Sequence, residues 1–179
     1  MFTKLETGLP GLVVLQPRVF RDQRGEFVKT FHAGLFRQLG LEFEPREEFF
    51  STSAHGVLRG MHFQLPPDAI AKLVYCIKGR LLDVVLDMRR SSPTFGVSFS
   101  RELSAVNREL IFVPVGFAHG FLALEDDTTM VYLTSKEFSP ACDAGVRWES
   151  FGFNWPVAQP VLSERDRKFP AWPEFVSPF

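Results

Sequence analysis

Apolar residues fall in short runs separated by turn-forming residues, and this pattern predicts strands. Leu12-Val13-Val14-Leu15 is the first run, and Phe27-Val28-Lys29-Thr30-Phe31 follows the turn-like Asp22-Gln23-Arg24-Gly25. The stretch 32–41 differs: Leu35, Phe36 and Leu39 stand at helical spacing and predict one short helix ending at Gly40. Strands follow at residues 57–64, 72–77 and 81–87, and Lys78-Gly79-Arg80 is short enough to join the last two as a hairpin. Residues 109–113, 121–124 and 130–134 predict three more. Short, evenly spaced strands with Gly, Pro and Asp between them imply an all-β barrel or jelly roll, in one domain over 1–179. Residues 139–179 hold six prolines and little periodicity, which predicts an irregular wrap with one helical turn near 163–168.

Composition narrows the function. The chain has 179 residues, 45% apolar and 23% charged, as expected of one soluble domain with a full core. A net charge of -1 argues against nucleic-acid binding, and the Arg89-Arg90 pair reads as solvated surface. No apolar run is long enough for a membrane span. The start, Met1-Phe2-Thr3-Lys4-Leu5-Glu6, lacks the plan of a secretory signal. Cys76 and Cys142 are too few for a disulfide framework and lack metal-ligand spacing, so buried thiols in a reducing cytoplasm are expected.

The chemistry centres on two of the four histidines. His62 lies in Gly56-Val57-Leu58-Arg59-Gly60-Met61-His62-Phe63-Gln64, and His119 in Pro114-Val115-Gly116-Phe117-Ala118-His119-Gly120-Phe121. The second segment resembles the second cupin motif, where Pro-x-Gly turns the chain and places a His inside a barrel. Metal-binding cupins add a His-x-His pair and a carboxylate. Here Gln64 stands two residues beyond His62 and no Glu follows at the usual distance, so no metal is expected. Arg59, Gln64 and Lys72 make an unusually polar set around His62. Strict alternation puts Arg59 and His62 on opposite faces, whereas a bulge at Gly60 would put them on one.

Four segments, in this order, carry a family resemblance: residues 56–64, Ser92-Pro93-Thr94-Phe95-Gly96, Gly116-Phe117-Ala118-His119-Gly120-Phe121-Leu122, and Leu162-Ser163-Glu164-Arg165-Asp166. From about residue 11 to 172 the chain resembles the dTDP-4-dehydrorhamnose 3,5-epimerases. That resemblance implies a cupin jelly roll with a few short helices and a homodimer that exchanges N-terminal strands. It also implies a cofactor-independent isomerase acting on a nucleotide-linked 4-keto-6-deoxyhexose. By resemblance, His62 matches the general base, Asp166 the carboxylate that orients it, and Tyr132 the proton donor on the other face of the sugar. Lys72 and His119 match groups around the sugar and its keto oxygen, and Arg24 and Arg59 match nucleotide contacts. Phe138 stands where the family usually has a stacking Tyr, and Phe27, Asp143 and Arg165 complete the implied substrate-binding set.

These residue types suit the reaction. Epimerisation beside a ketone removes an alpha proton and returns one to the opposite face. Histidine, with an unperturbed pKa of about 6.5, is neutral enough to take that proton. A paired carboxylate fixes its tautomer. Taken singly, Tyr132 reads as strand packing, Lys72 as a solvated strand end, and Asp166 as a helix cap with Ser163. Together with the resemblance, the functional reading prevails for His62, Tyr132 and Asp166. Departures gather on the nucleotide side. The family usually has Glu at the position of Lys29, and Gln and Asn at those of Glu47 and Phe49. Lys29 cannot accept from thymine N3–H, whereas it can donate to cytosine N3 while Glu47 accepts from N4, so a CDP-linked sugar is one expectation. A simple Lys29–Glu47 ion pair is the other. Competing functions are inversion at C3 alone, a 3,4-ketoisomerase, and a non-catalytic sugar-binding cupin.

Overall fold

Burial is nearly continuous along the central strands, because both faces of two facing sheets are covered. In the computed structural model, which describes residues 2–179, the N-terminal part runs β1 (Phe2–Glu6), β2 (Val13–Pro17), β3 (Val19–Asp22), β4 (Gly25–Val28), α1 (Ala33–Gln38) and β5 (Glu47–Ser53). The barrel continues through β6 (Leu58–Gln64), β7 (Lys72–Lys78), β8 (Arg80–Asp87), β9 (Ser98–Ser104), β10 (Leu110–Val113), β11 (Phe117–Ala123) and β12 (Thr128–Thr134). Then come β13 (Asp143–Gly145), α2 (Glu164–Arg167) and a 3₁₀ turn at Trp172–Glu174. One sheet has the order β1-β2-β10-β7-β12-β5 and the other β13-β6-β11-β8-β9, while β3 and β4 form a separate two-stranded sheet. The fold is an all-β jelly roll of the cupin type, with two short helices among the described residues.

Period-2 patterning fills three apolar layers. Between the sheets, Val74, Ile111 and Met130 of one meet Leu81, Val85 and Phe121 of the other. The outer face of the six-stranded sheet, including Leu73, Phe112 and Leu133, is covered by Phe36, Leu41 and Phe43. The helix that brings Phe36 there starts with the His32 side chain accepting from the Leu35 N–H. It ends with Gly40 at φ +72°, where the Leu41 N–H bonds the Phe36 carbonyl and the Gly40 N–H that of Arg37. On the other side, Met61, Phe63, Val84 and Leu86 are covered by Phe153, Trp155, Trp172 and Phe175 of the C-terminal wrap.

Three expectations need correction. Lys78-Gly79-Arg80 is not a hairpin: β7 and β8 belong to different sheets, and the segment turns the corner between them. The run at 27–31 is strand only as far as Val28, because β4 is the second arm of a short hairpin with β3. Five strands, β1, β3, β5, β9 and β13, lie outside the expected runs, while the turn expected near 163–168 is α2. Among the described residues no helix is long and apolar enough to cross a membrane.

Candidate active site

One half of the barrel interior is polar. Inward positions on β5 (Glu47, Phe49, Ser51), β6 (Arg59, His62, Gln64), β7 (Lys72), β11 (His119) and β12 (Tyr132, Thr134) line a cavity of about 400 Å³. Ile70, Lys136, Phe138, Asp143 and Arg165 line it from the loops, β13 and α2. Arg59 and His62 share it because of a bulge. His119 faces His62 and Phe121 faces Arg59, so β6 uses one residue more than β11 across this interval. Glycine is required on both sides. Gly60 sits at φ +152°, where a Cβ would lie 2.6 Å from the Gly120 Cα. A Cβ on Gly120 would lie 2.8 Å from the Arg59 carbonyl oxygen.

His62 is held by α2. Its Nε2 lies 2.8 Å from Oδ1 of the buried Asp166, whose Oδ2 accepts the Gly60 N–H at 3.3 Å. The Asp166 N–H donates to the Ser163 hydroxyl at 3.0 Å, so the cap and the pairing coexist: Ser163 starts the helix and the Asp166 carboxylate turns to His62. Burial lowers the His62 pKa below its ordinary 6.5, against the hydrogen bond and charge of Asp166. Burial acts to raise Asp166, but the His62 hydrogen bond and charge, with the Gly60 N–H, hold it below the usual carboxylate range. The resting pair is therefore a carboxylate and a neutral imidazole. With Nε2–H donating to Asp166, Nδ1 carries the lone pair, so the imidazole is competent as a base.

A second pair lies across the strand boundary. His119 Nε2 is 2.7 Å from Asp83 Oδ2, both buried. Lys72 donates to the His62 carbonyl at 3.0 Å, and burial pushes its ammonium down to about 8 although Asp83 and Asp143 oppose the shift. Burial pushes the Tyr132 phenol well above its ordinary range, and its hydroxyl lies 3.3 Å from Ser51 Oγ. The phenol is protonated at neutral pH and can only give a proton there. Among the described residues no three His, Cys, Asp or Glu side chains converge as a metal-ligand set.

His62, Tyr132, Glu47, Arg59, Lys72, His119, Phe138, Asp143 and Arg165 all line the cavity, and Asp166 stands behind His62. Phe27 and Lys29 do not line it. They line a neighbouring cleft of about 530 Å³ that shares Glu47 with it. Arg24 lines neither within this chain: it sits at the β3–β4 turn, bound to Asp22. Asp83 and Ser51 were missed. The signal for Asp83 was a charged inward position inside Leu81-Leu82-Asp83-Val84-Val85-Leu86; Ser51 carried none.

Comparison with known proteins identifies the family. The family model described as dTDP-4-dehydrorhamnose 3,5-epimerase matches residues 6–174. The chain belongs to that family. It is 41% identical over 165 residues to the dTDP-4-dehydrorhamnose 3,5-epimerase of Shigella flexneri, covering 90% of this chain and 91% of that one. It is similar to the crystal structure of the Bacillus anthracis dTDP-4-dehydrorhamnose 3,5-epimerase with TDP and PPi bound, with TM-score 0.93 and 36% identity over 96% of this chain and 99% of that one. It is also similar to the Legionella pneumophila dTDP-6-deoxy-D-glucose-3,5-epimerase in complex with dTDP-4-keto-L-rhamnose, with TM-score 0.91 and 30% identity over 96% and 93%. Not every epimerase-family segment is at the cavity. Ser92 and Thr94 donate to the Asp87 carboxylate, which also binds Arg89, and so brace the corner after β8.

Proposed function

We propose that this epimerase-family chain inverts C3 and C5 of a nucleotide-linked 4-keto-6-deoxyhexose by proton removal next to the C4 ketone, without a cofactor. The observation that carries this is one cavity lined by a neutral His62 backed by Asp166 and by a protonated Tyr132. His62 takes the proton alpha to the ketone. Lys72, with the His119–Asp83 pair, stabilises the enolate oxygen. Tyr132 returns a proton from the other face. Arg59, Lys136 and Arg165 offer cations to a diphosphate. The dTDP-linked sugar is the proposed substrate because the Bacillus protein holds TDP and the Legionella protein dTDP-4-keto-L-rhamnose.

A second reading concerns the nucleotide. Lys29 and Glu47 line one cleft, and Glu47 bonds the Phe138 N–H at 2.8 Å rather than Lys29, which favours base recognition over an ion pair. Both readings are tested by incubating the protein in deuterated water with 4-keto-6-deoxyglucose linked to dTDP or to CDP. NMR would follow hydrogen loss at C3 and C5. Exchange at both positions is expected. Exchange at C3 alone makes the chain a 3-epimerase, movement of the keto group a ketoisomerase, and tight binding without exchange a binding module. Faster exchange on CDP supports the cytosine reading, and equal rates sink it.

We also infer a homodimer built through the N-terminal region. Supporting this, β1 is an edge strand, and the separate β3–β4 hairpin leaves Phe20 and Phe27 47% and 60% exposed. Sedimentation should give twice the 20.4 kDa chain mass; a monomer mass would remove the inference.

A further inference from the structure

Phe49 is a large aromatic side chain left 44% exposed at the cavity, and the reaction as proposed gives it no task. Its setting is specific. β5 and β12 pair Phe49 directly with Tyr132. The two rings stack with centroids 4.7 Å apart and planes 14° from parallel. His119 meets the same Tyr132 ring edge-on, at 6.3 Å and 75°. Ser51, on the same face of β5 as Phe49, lies 3.3 Å from the phenol oxygen. A tyrosine side chain turns about two bonds. The stacked ring opposes tilting of its plane, and the serine holds its tip. One strand therefore grips Tyr132 at ring and hydroxyl, and Glu47 extends that face towards the neighbouring cleft.

We propose that Phe49 is a positioning residue: stacked on Tyr132, it fixes where the phenol delivers its proton and so governs how often a removed proton is replaced on the opposite face. This deepens the epimerisation reading and rests on it. After His62 has taken a proton, the enolate has two fates: reprotonation by the same imidazolium, which restores the starting centre, or protonation by Tyr132, which inverts it. In deuterated water the first fate still exchanges hydrogen, because the imidazolium proton exchanges with solvent. A donor displaced by a fraction of its reach loses to the imidazolium. Phe49 also covers one face of the Tyr132 ring.

The test measures inverted product per deuterium incorporated, for the parent and for Phe49→Leu, Phe49→Ala and Phe49→Tyr. For Leu and Ala we expect kcat for inversion to fall on the order of tenfold to a hundredfold, KM to change little, and exchange without inversion to rise. Phe49→Tyr, which retains a stackable ring, should restore the parental ratio. A higher KM with an unchanged ratio would make Phe49 a substrate contact only and overturn the proposal. A second measurement needs no substrate. The chain has two tyrosines, so in a Tyr75→Phe background NMR of isotope-labelled tyrosine reports Tyr132 alone. Faster ring motion of Tyr132 in Phe49→Ala than with Phe49 in place supports the proposal, and identical ring dynamics overturn it. If the parent exchanges no hydrogen with either nucleotide sugar, the reaction assignment fails, and this measurement still decides whether Phe49 holds Tyr132.

Discussion

His62→Asn lowers deuterium incorporation at C3 and C5 together, by about 10²–10⁴-fold, the range contributed by a positioned general base. The two positions fall together because the proposed reaction draws both protons to one base, His62 backed by Asp166, whereas burial holds the Tyr132 phenol protonated. Tyr132→Phe should behave differently: inversion slows while exchange continues, since His62 still removes protons and returns solvent-derived ones. If His62→Asn exchanges at one centre as fast as the parent, a second base serves that centre and the single-base reading fails. The pH profile carries the same information. Burial lowers the His62 pKa from 6.5, so the parental rate holds as pH falls to the unperturbed value and drops only through the lowered one. Stability follows with the same sign. The unfolded chain binds the proton more readily, so the contribution of His62 is intact above about pH 6.5 and is lost as pH falls through the folded-state value. Replacing His62 should flatten both limbs.

The barrel was legible wherever one face of a strand is apolar. β2, β7, β8, β10 and β12 bury continuous or alternating apolar sets, and their runs stand out against the turns. β5 escaped notice for the reason that makes it important. Its inward face, Glu47, Phe49 and Ser51, is the wall of the cavity, so it lacks the apolar alternation by which a core strand is recognised. β9 is an edge strand rich in serine and charge, and escaped for a simpler reason. The corner at Lys78-Gly79-Arg80 looked like a hairpin because a short link between two alternating strands has the same pattern whether the chain returns in one sheet or crosses to the facing one. The faces of Arg59 and His62 were open in the sequence. The close approach of Gly60 to Gly120 decides them, and it depends on two strands far apart in the chain. The grouping of His62 with Asp166 came from motif resemblance, since 104 positions separate them. Arg24 was grouped with them by the same resemblance, and in this chain it lies at a hairpin turn away from the cavity.

Asp166→Asn is expected to lower kcat by up to about 10⁴-fold, the scale set by neutralising the carboxylate of a catalytic His–Asp pair. The size follows from what the carboxylate does. It accepts from His62 Nε2 at 2.8 Å, which keeps the lone pair on Nδ1, and it supplies the negative charge that steadies the imidazolium formed when a proton is taken. The amide preserves the shape but removes the charge, and its NH₂ can face Nε2 and select the other tautomer. The charge also offsets the buried surroundings and the nearby Lys72 and Arg165 cations, all of which lower the His62 pKa. Without it the pKa falls further, so the base weakens although a larger fraction stays neutral. The acid limb of the rate profile should therefore move to lower pH while the plateau drops. A structural role for Asp166 predicts something else. The Ser163 cap uses the backbone N–H of Asp166 and survives the substitution, so α2 and the thermal midpoint should change little. A large loss of thermal stability with a parental plateau rate would assign Asp166 to the fold, and a lowered plateau on an unaltered fold assigns it to the base.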